Sequence, residues 1–303
     1  MKGSNGFQKA EGVYMSELKA KGITKKYGTK EVLHGIDLTL EKGKIYGLIG
    51  RNGAGKTTLL SILTSQNPAT EGSVTFDEMQ VWENPEALKH LCFSRELNQL
   101  QGGNANAMKV KEYLWAAATF FPYWDKEMAK RLVELFRLDV KQRISKLSKG
   151  MCSMVTIIVG LASKAEFTIF DEPVAGLDVV AREKFYELLV EEFTETGRTF
   201  VVSTHIIEEA SDIFEEVILL DQGSILLKEN TQELLERAFH VSGHEEDVAK
   251  AVEGLTTYHE ERLGRSRGVT VLLEPGQHIG TEYDVSVQNV SLQKLFVALC
   301  GEE

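Results

Sequence analysis

Gly50-Arg51-Asn52-Gly53-Ala54-Gly55-Lys56-Thr57, continued by Thr58, is the stretch on which the reading of this chain turns. It follows the short apolar run Lys44-Ile45-Tyr46-Gly47-Leu48-Ile49, fits GxxxxGK[ST] at every fixed position, and opens a helix at about Lys56. The glycines let the backbone wrap a phosphate chain and aim N–H groups at its oxygens, while the helix N-terminus adds positive potential. Lys56 can reach β- and γ-phosphates, and the Thr57 hydroxyl can ligate Mg²⁺. The strand before the loop and the helix after it are the context that a chance glycine-rich turn lacks.

Downstream, Phe167-Thr168-Ile169-Phe170-Asp171-Glu172 is an apolar strand that ends in two carboxylates. Alone, such a pair reads as a solvated cap before a turn. Joined to a phosphate loop, it presents Asp171 to the Mg²⁺ shell and leaves Glu172 to polarise an attacking water. Alternating strand and helix patterns surround both motifs and argue for a mainly parallel sheet covered by helices, an α/β fold. Thr199–Ser203 reads as a strand, and Val217–Leu220 with Ser224–Leu227 read as a hairpin around Asp221-Gln222-Gly223. The helix after Asp178 carries Phe185, Leu188, Leu189 and Phe193 on one face.

Nearer the N-terminus the period is two (Ile23, Lys25, Tyr27, then Ile36, Leu38, Leu40), which predicts a half-buried antiparallel sheet. Asn84-Pro85 reads as an N-cap and first helical position. Between Ala107 and Leu138 the pattern is helical: Tyr113, Leu114, Ala117 and Phe121 share one face, and Met128, Leu132, Leu135 and Phe136 another. Met151, Met154 and the Ile157-Ile158-Val159 run read as core of a further helix. Residues 1–15 read as a loose tail, within which Met15 is a second candidate start. Residues 231–303 differ in character, with 6 basic and 13 acidic side chains. Alternating runs at Thr256–Arg262, Val269–Leu273 and Tyr283–Val287 and a helix over Leu292–Leu299 predict a small α+β appendage.

Composition sets the limits. The chain has 303 residues and 34 basic against 45 acidic side chains, a net charge of −11, which argues against duplex nucleic acid as a partner. The longest stretches free of charged residues, Thr57–Thr70 and Gly150–Ser163, are too short for a spanning helix, which needs about 20 apolar residues. Cys92, Cys152 and Cys300 stand far apart with no CxxC spacing, so a reducing cytosol fits better than a disulfide framework.

Taken together the motifs resemble those of the ATP-binding subunit of an ABC transporter. Leu147-Ser148-Lys149-Gly150-Met151, which ends 20 residues before Asp171, is similar to the family's LSGGQ signature. Ala175-Gly176-Leu177-Asp178 resembles its D-loop, His205 in Ser203-Thr204-His205 its switch histidine, and Tyr27 the aromatic that stacks on adenine. The resemblance covers residues 16–230, and it implies a P-loop ATPase fold: an N-terminal antiparallel subdomain, a helical signature subdomain over about 97–163, and the appendage over 231–303. It implies ATP and Mg²⁺ as cofactors. It also implies two such subunits, identical or not, facing head to tail, so that each ATP lies between the phosphate loop of one and Ser148, Gly150 and Asp178 of the other. His205 would then hold the γ-phosphate and attacking water in register with Glu172. The resemblance implies a separate transmembrane permease docked at the helical insert, where an exposed aromatic would mark the contact, and a subunit on the cytoplasmic face of the membrane.

Three features depart from the pattern. Lys149 stands where the consensus has its first glycine and Met151 where it has glutamine, which resembles the LSKGM-like versions of ATPases serving ABC-2-type exporters. The residues after the signature, Cys152-Ser153-Met154, lack the usual basic side chains. The glutamine expected after Leu91-Cys92-Phe93-Ser94-Arg95 is replaced by Glu96, with Gln99 and Gln101 out of register. Glu96 is either a third, anionic Mg²⁺ ligand, the favoured reading, or a solvated loop residue. The alternative function is a non-transport ABC ATPase of DNA repair, translation or cluster assembly. A single ATPase copy and a short segment between the motifs weigh against it, and no NKxD motif suggests a GTPase.

Overall fold

The computed structural model describes residues 16–97 and 107–301, so the expected tail over 1–15, Met15, Gln99 and Gln101 lie outside the described residues. β1 (Glu17–Tyr27) and β2 (Lys30–Glu41) carry the period-two pattern and pair antiparallel, Leu18 opposite Leu40 and Ala20 opposite Leu38. β3 (Ile45–Ile49) follows, then α1 (Lys56–Leu63), β4 (Glu71–Phe76) and β5 (Met79–Gln80). The antiparallel sheet has the order β2-β1-β4-β5. α2 (Pro85–Leu88) starts as its sequence requires: the Asn84 side chain accepts from Glu86 N at 3.1 Å and Pro85 takes the first helical position.

The second sheet holds the functional residues. β6 (Leu91–Arg95), β7 (Phe167–Asp171), β8 (Thr199–Thr204), β9 (Glu216–Asp221) and β10 (Ser224–Asn230) join β3 in the order β10-β9-β3-β8-β7-β6. All neighbours run parallel except the β9–β10 hairpin, whose turn uses positive φ at Gln222 and Gly223. β3, β7 and β8 are buried at every position, which is why their sequences show apolar runs rather than alternation. On one face Tyr46, Leu48, Phe167, Ile169 and Val201 pack toward α1 and the antiparallel sheet. On the other, Ile45, Ile49, Phe170, Phe200 and Val202 meet the helical side of the molecule.

That side comprises α3 (Val110–Phe120), α4 (Lys126–Leu135), α5 (Lys149–Ala162) and α6 (Val179–Thr196). Tyr113, Leu114, Ala117 and Phe121 pack with Trp124 around Cys92, Val159 and Ala165. Met128 and Leu132 are buried, but Leu135 is 43% exposed. It is the last residue of α4 and borders a surface hollow with Phe136 and Met154, so its shared face finds no covering element there.

Beyond β10 come α7 (Thr231–Glu236), β11 (Ala238–His244), α8 (Glu245–Ala251), β12 (Thr257–Leu263), β13 (Ser266–Leu272), β14 (Val285–Asn289) and α9 (Leu292–Cys300). The sheet order is β12-β13-β11-β14. Sequence reading finds β12, β13, β14 and α9 but passes over β11, the strand that pairs with both β13 and β14. Its composition, Ala238-Phe239-His240-Val241-Ser242-Gly243-His244, has too few apolar side chains to register as a strand. Val241, Val248, Val269 and Val271 form a small core of their own, while Leu234, Ala238, Leu292 and Leu295 belong to the main core.

A buried charge cluster fastens the helical side to the sheet. Glu192 of α6 is 1% exposed and accepts from Lys164 Nζ at 2.8 and 2.9 Å. Its Oε1 lies 3.0 Å from Arg198 Nε. The same guanidinium donates to the carbonyl of Leu161 at 2.7 Å and to Thr168 Oγ1 at 3.1 Å, and covers the Phe200 ring. Removing the carboxylate leaves a buried guanidinium without its counter-charge, which typically costs about 3–5 kcal/mol. Glu192→Ala is therefore expected to lower urea-unfolding stability by about that amount. Arg131→Ala, which removes only the exposed 3.3 Å pair with Glu191, is expected to change it by less than about 1 kcal/mol.

Candidate active site

β3 delivers the chain to Gly50, where the backbone passes so close to the Leu220 carbonyl that a Cβ would lie 2.3 Å from its oxygen. The loop closes at Gly55, which caps α1 with φ +106° and faces the Leu33 side chain. The Gly223 amide donates to the Ala54 carbonyl at 3.0 Å, so the β9–β10 turn braces the loop from behind. Lys56, 7% exposed, folds back and donates to the Gly50 carbonyl at 2.6 Å and the Arg51 carbonyl at 3.3 Å. Burial pushes its ammonium pKa down, and the nearby Glu172 and Asp171 charges oppose that fall. A cavity of about 280 Å³ opens over the loop, walled by Val32, Arg51, Asn52, Gly53, Thr58 and Glu172 among others.

Two carboxylates approach from β7. The Thr57 hydroxyl donates to Asp171 Oδ2 at 2.7 Å, and the Ser203 hydroxyl donates to Asp171 Oδ1 at 2.7 Å. The Thr57 and Asp171 oxygens are hard donors at a separation close to the ~2.9 Å edge of an octahedron built on Mg–O bonds of about 2.0–2.1 Å. The donor set fits Mg²⁺. Glu172 follows with φ +51°, a left-handed conformation uncommon for a side-chain-bearing residue. Its amide donates to the Ser203 carbonyl at 3.0 Å, which pins the strained backbone. Its Oε1 lies 3.8 Å from Lys56 Nζ and its Oε2 lies 2.6 Å from His205 Nδ1. The structure therefore assembles Lys56, Thr57, Asp171, Glu172 and His205 within one set of contacts.

Other residues singled out in the sequence lie elsewhere. Tyr27 is half exposed; its hydroxyl accepts from Asn67 Nδ2 at 2.6 Å, and Lys25 Nζ sits 5.0 Å from the ring centre. Ser148 caps α5, its Oγ accepting from Met151 N at 3.2 Å. Gly150 packs on the Gly176 carbonyl, where a Cβ would come within 2.6 Å, and Ser153 Oγ donates to the Ala175 carbonyl at 2.7 Å. Asp178 caps α6 through Ala181 N at 2.8 Å. The signature and D-loop residues are thus fixed to each other and are not among the walls of the phosphate-loop cavity.

Glu96 meets a lysine in this structure. Its Oε1 is 3.1 Å from Lys149 Nζ at the start of α5. Among the described residues no three His, Cys, Asp or Glu side chains converge to hold a metal. In this conformation the oppositely charged lysine takes the carboxylate that sequence reading offers to Mg²⁺. Two contributors were not foreseen. Ser203 had a legible signal, since it precedes Thr204 and His205 at the end of a strand. Val32, in the cavity wall, had none.

Comparison with known proteins bears on the family and the fold. A family model described as ABC transporter matches residues 33–175. The chain is 28% identical to the linearmycin resistance ATP-binding protein LnrL of Bacillus subtilis over 94% of this chain and 98% of that protein. It is 30% identical to the lantibiotic transport ATP-binding protein SrtF of Streptococcus pyogenes, over 72% of this chain and 95% of that one. Among solved structures, a bacterial ABC transporter cassette determined as a dimer superposes with a TM-score of 0.61 at 24% identity, covering 71% of this chain and 98% of that chain.

Lys56→Ala removes a charge-assisted contact to the phosphates and is expected to weaken nucleotide binding by about tenfold to a hundredfold, measured by calorimetry. Unchanged affinity would remove this loop from the binding site.

Proposed function

This chain belongs to the ABC transporter ATP-binding family, and on that premise we propose that it powers a separate membrane-spanning permease by binding and hydrolysing ATP, in the direction of export. The 2.6 Å contact between Glu172 and His205, beside Lys56 and the Thr57–Asp171 pair, carries the hydrolytic part of this reading. Lys56 exchanges its loop carbonyls for the β- and γ-phosphates. Glu172, held in a left-handed backbone, orients the attacking water, and His205 steadies Glu172 and the γ-phosphate. Ser203 keeps the Asp171 carboxylate turned toward Thr57. Thr57 and Asp171 would hold Mg²⁺ there, and the ion would neutralise charge on the phosphates. Arg51, Asn52, Gly53, Ala54, Gly55 and Thr58 line or shape the phosphate loop, and Tyr27 offers its half-exposed ring to the adenine.

Ser148, Gly150 and Asp178 act on a nucleotide held by a second subunit. Their separation from this chain's own cavity supports that arrangement, since a helix N-terminus can bind only a phosphate that reaches it. The permease contact rests on a surface observation. Trp115 on α3 is 71% exposed, Phe120 at its end 81%, and Tyr123 just beyond it 58%. Aromatic side chains left in water on one helix and the turn after it suit a partner that covers them. No helix among the described residues is long and apolar enough to cross a membrane, which fits an ATPase that works from the cytoplasmic face on a spanning partner. A resistance protein and a lantibiotic transport protein among the relatives support export and weigh against roles in repair, translation or cluster assembly.

Glu172→Gln is expected to keep nucleotide affinity, lower turnover by at least about a hundredfold, and accumulate an ATP-held dimer on size exclusion with ATP and Mg²⁺. Wild-type turnover without added dimer would refute the assignment of Glu172. Ser148→Ala is expected to leave the nucleotide affinity of the dilute monomer unchanged while impairing hydrolysis. A loss of monomer affinity equal to that of Lys56→Ala would exclude the head-to-tail arrangement.

A further inference from the structure

The two charged residues that replace neutral ones in the motifs, Glu96 and Lys149, face each other at 3.1 Å. Lys149 is the first residue of α5, between Ser148 and Gly150. Glu96 directly follows β6, whose last residue, Arg95, is in register with Asp171 on the adjoining parallel strand β7. Neighbouring strands lie about 4.8 Å apart, so the Glu96 backbone sits beside the start of the Asp171-Glu172 turn. Lys149 is the cation that this side chain meets, and Asp171, which with Thr57 makes the proposed metal position, ends the neighbouring strand.

We infer that Lys149 and Mg²⁺ compete for the Glu96 carboxylate, so that metal–nucleotide loading of a chain's own phosphate loop releases Lys149 at the tip of its signature helix. The inference rests on the nucleotide-site reading above. The pair does little for the fold, because its side chains are 58% and 45% exposed and such pairs are weak in water. A lysine in the first turn also opposes the helix dipole, which favours anions there, and Glu96 offsets that charge. Mg²⁺ has twice the charge of an ammonium and binds oxygen at about 2.0–2.1 Å, so it displaces a solvent-screened lysine. The freed lysine then lies between the two signature residues proposed to meet the partner's nucleotide. Loading one site in this way alters the charge that the same chain presents to the other.

The test is a double-mutant cycle on the full chain: wild type, Glu96→Gln, Lys149→Met and the double variant. A fluorescent non-hydrolysable ATP analogue is titrated with Mg²⁺ at a concentration where light scattering shows monomer. The readout is the free Mg²⁺ at half-maximal binding, not turnover. Lys149→Met is expected to lower that midpoint about two- to fivefold, the range for breaking an exposed pair, and Glu96→Gln to raise it. In the Glu96→Gln background, Lys149→Met should change nothing. A Lys149→Met shift of equal size in both backgrounds, or none in either, overturns the competition. Failure of the wild type to bind the analogue with Mg²⁺ instead overturns the nucleotide-site reading and is seen before the variants are compared.

Discussion

The 2.7 Å hydrogen bond from Thr57 to Asp171 is the contact on which the site depends. It joins the first turn of the helix after the phosphate loop to the end of a strand 114 residues away. Nothing local holds these residues together. They meet because β8 lies between β3 and β7 and keeps all three strands level, Ile49 with Thr204 and Ser203 with Asp171. The middle strand is not a passive spacer. Its Ser203 fixes the other Asp171 oxygen and the Glu172 amide, and its continuation delivers His205. The site thus forms at the carboxyl ends of parallel strands, where open α/β sheets place their ligands.

Burial distinguishes the two kinds of charge contact in this protein. Asp171 and Glu192 are nearly inaccessible, and their partners are chosen by geometry that water cannot replace. Breaking such contacts leaves a charge in a poorly solvated place, which is expensive. Glu96 and Lys149 lie in solvent, where an ion pair can exchange partners with little effect on folding. The first kind suits a fixed catalytic frame and the second suits a part that changes with loading. The left-handed backbone at Glu172 belongs to the frame: strain at that position is tolerated because the Ser203 carbonyl and the His205 ring hold both ends of the residue.

The C-terminal segment is tied to the ATPase core more closely than its different composition suggests. Leu292 and Leu295 of α9, with Leu234 and Ala238, are buried in the main core, while the four-stranded sheet keeps a separate valine core. The segment is therefore attached through its first and last elements and through Leu272 at the end of β13, which also packs on the main core.

From the sequence alone came the phosphate loop, the strand-end carboxylates, the alternation of the N-terminal sheet and several helix starts. These are local features: fixed glycine spacing, period-two burial, and caps such as Asn84 before Pro85. His205 and Ser148 were legible through motif order, and the strand bearing Asp171 through its apolar run. Tertiary structure alone decided the rest. The level pairing of β7 and β8 set Ser203 against Asp171, the packing of β2 beside Gly55 brought Val32 to the cavity wall, and β11 became a strand because two neighbours supply the hydrogen bonds and cover that its own residues do not encode. The partner of Glu96 was likewise beyond sequence, since an exposed carboxylate goes to whichever cation the fold places nearest, and here that cation is Lys149.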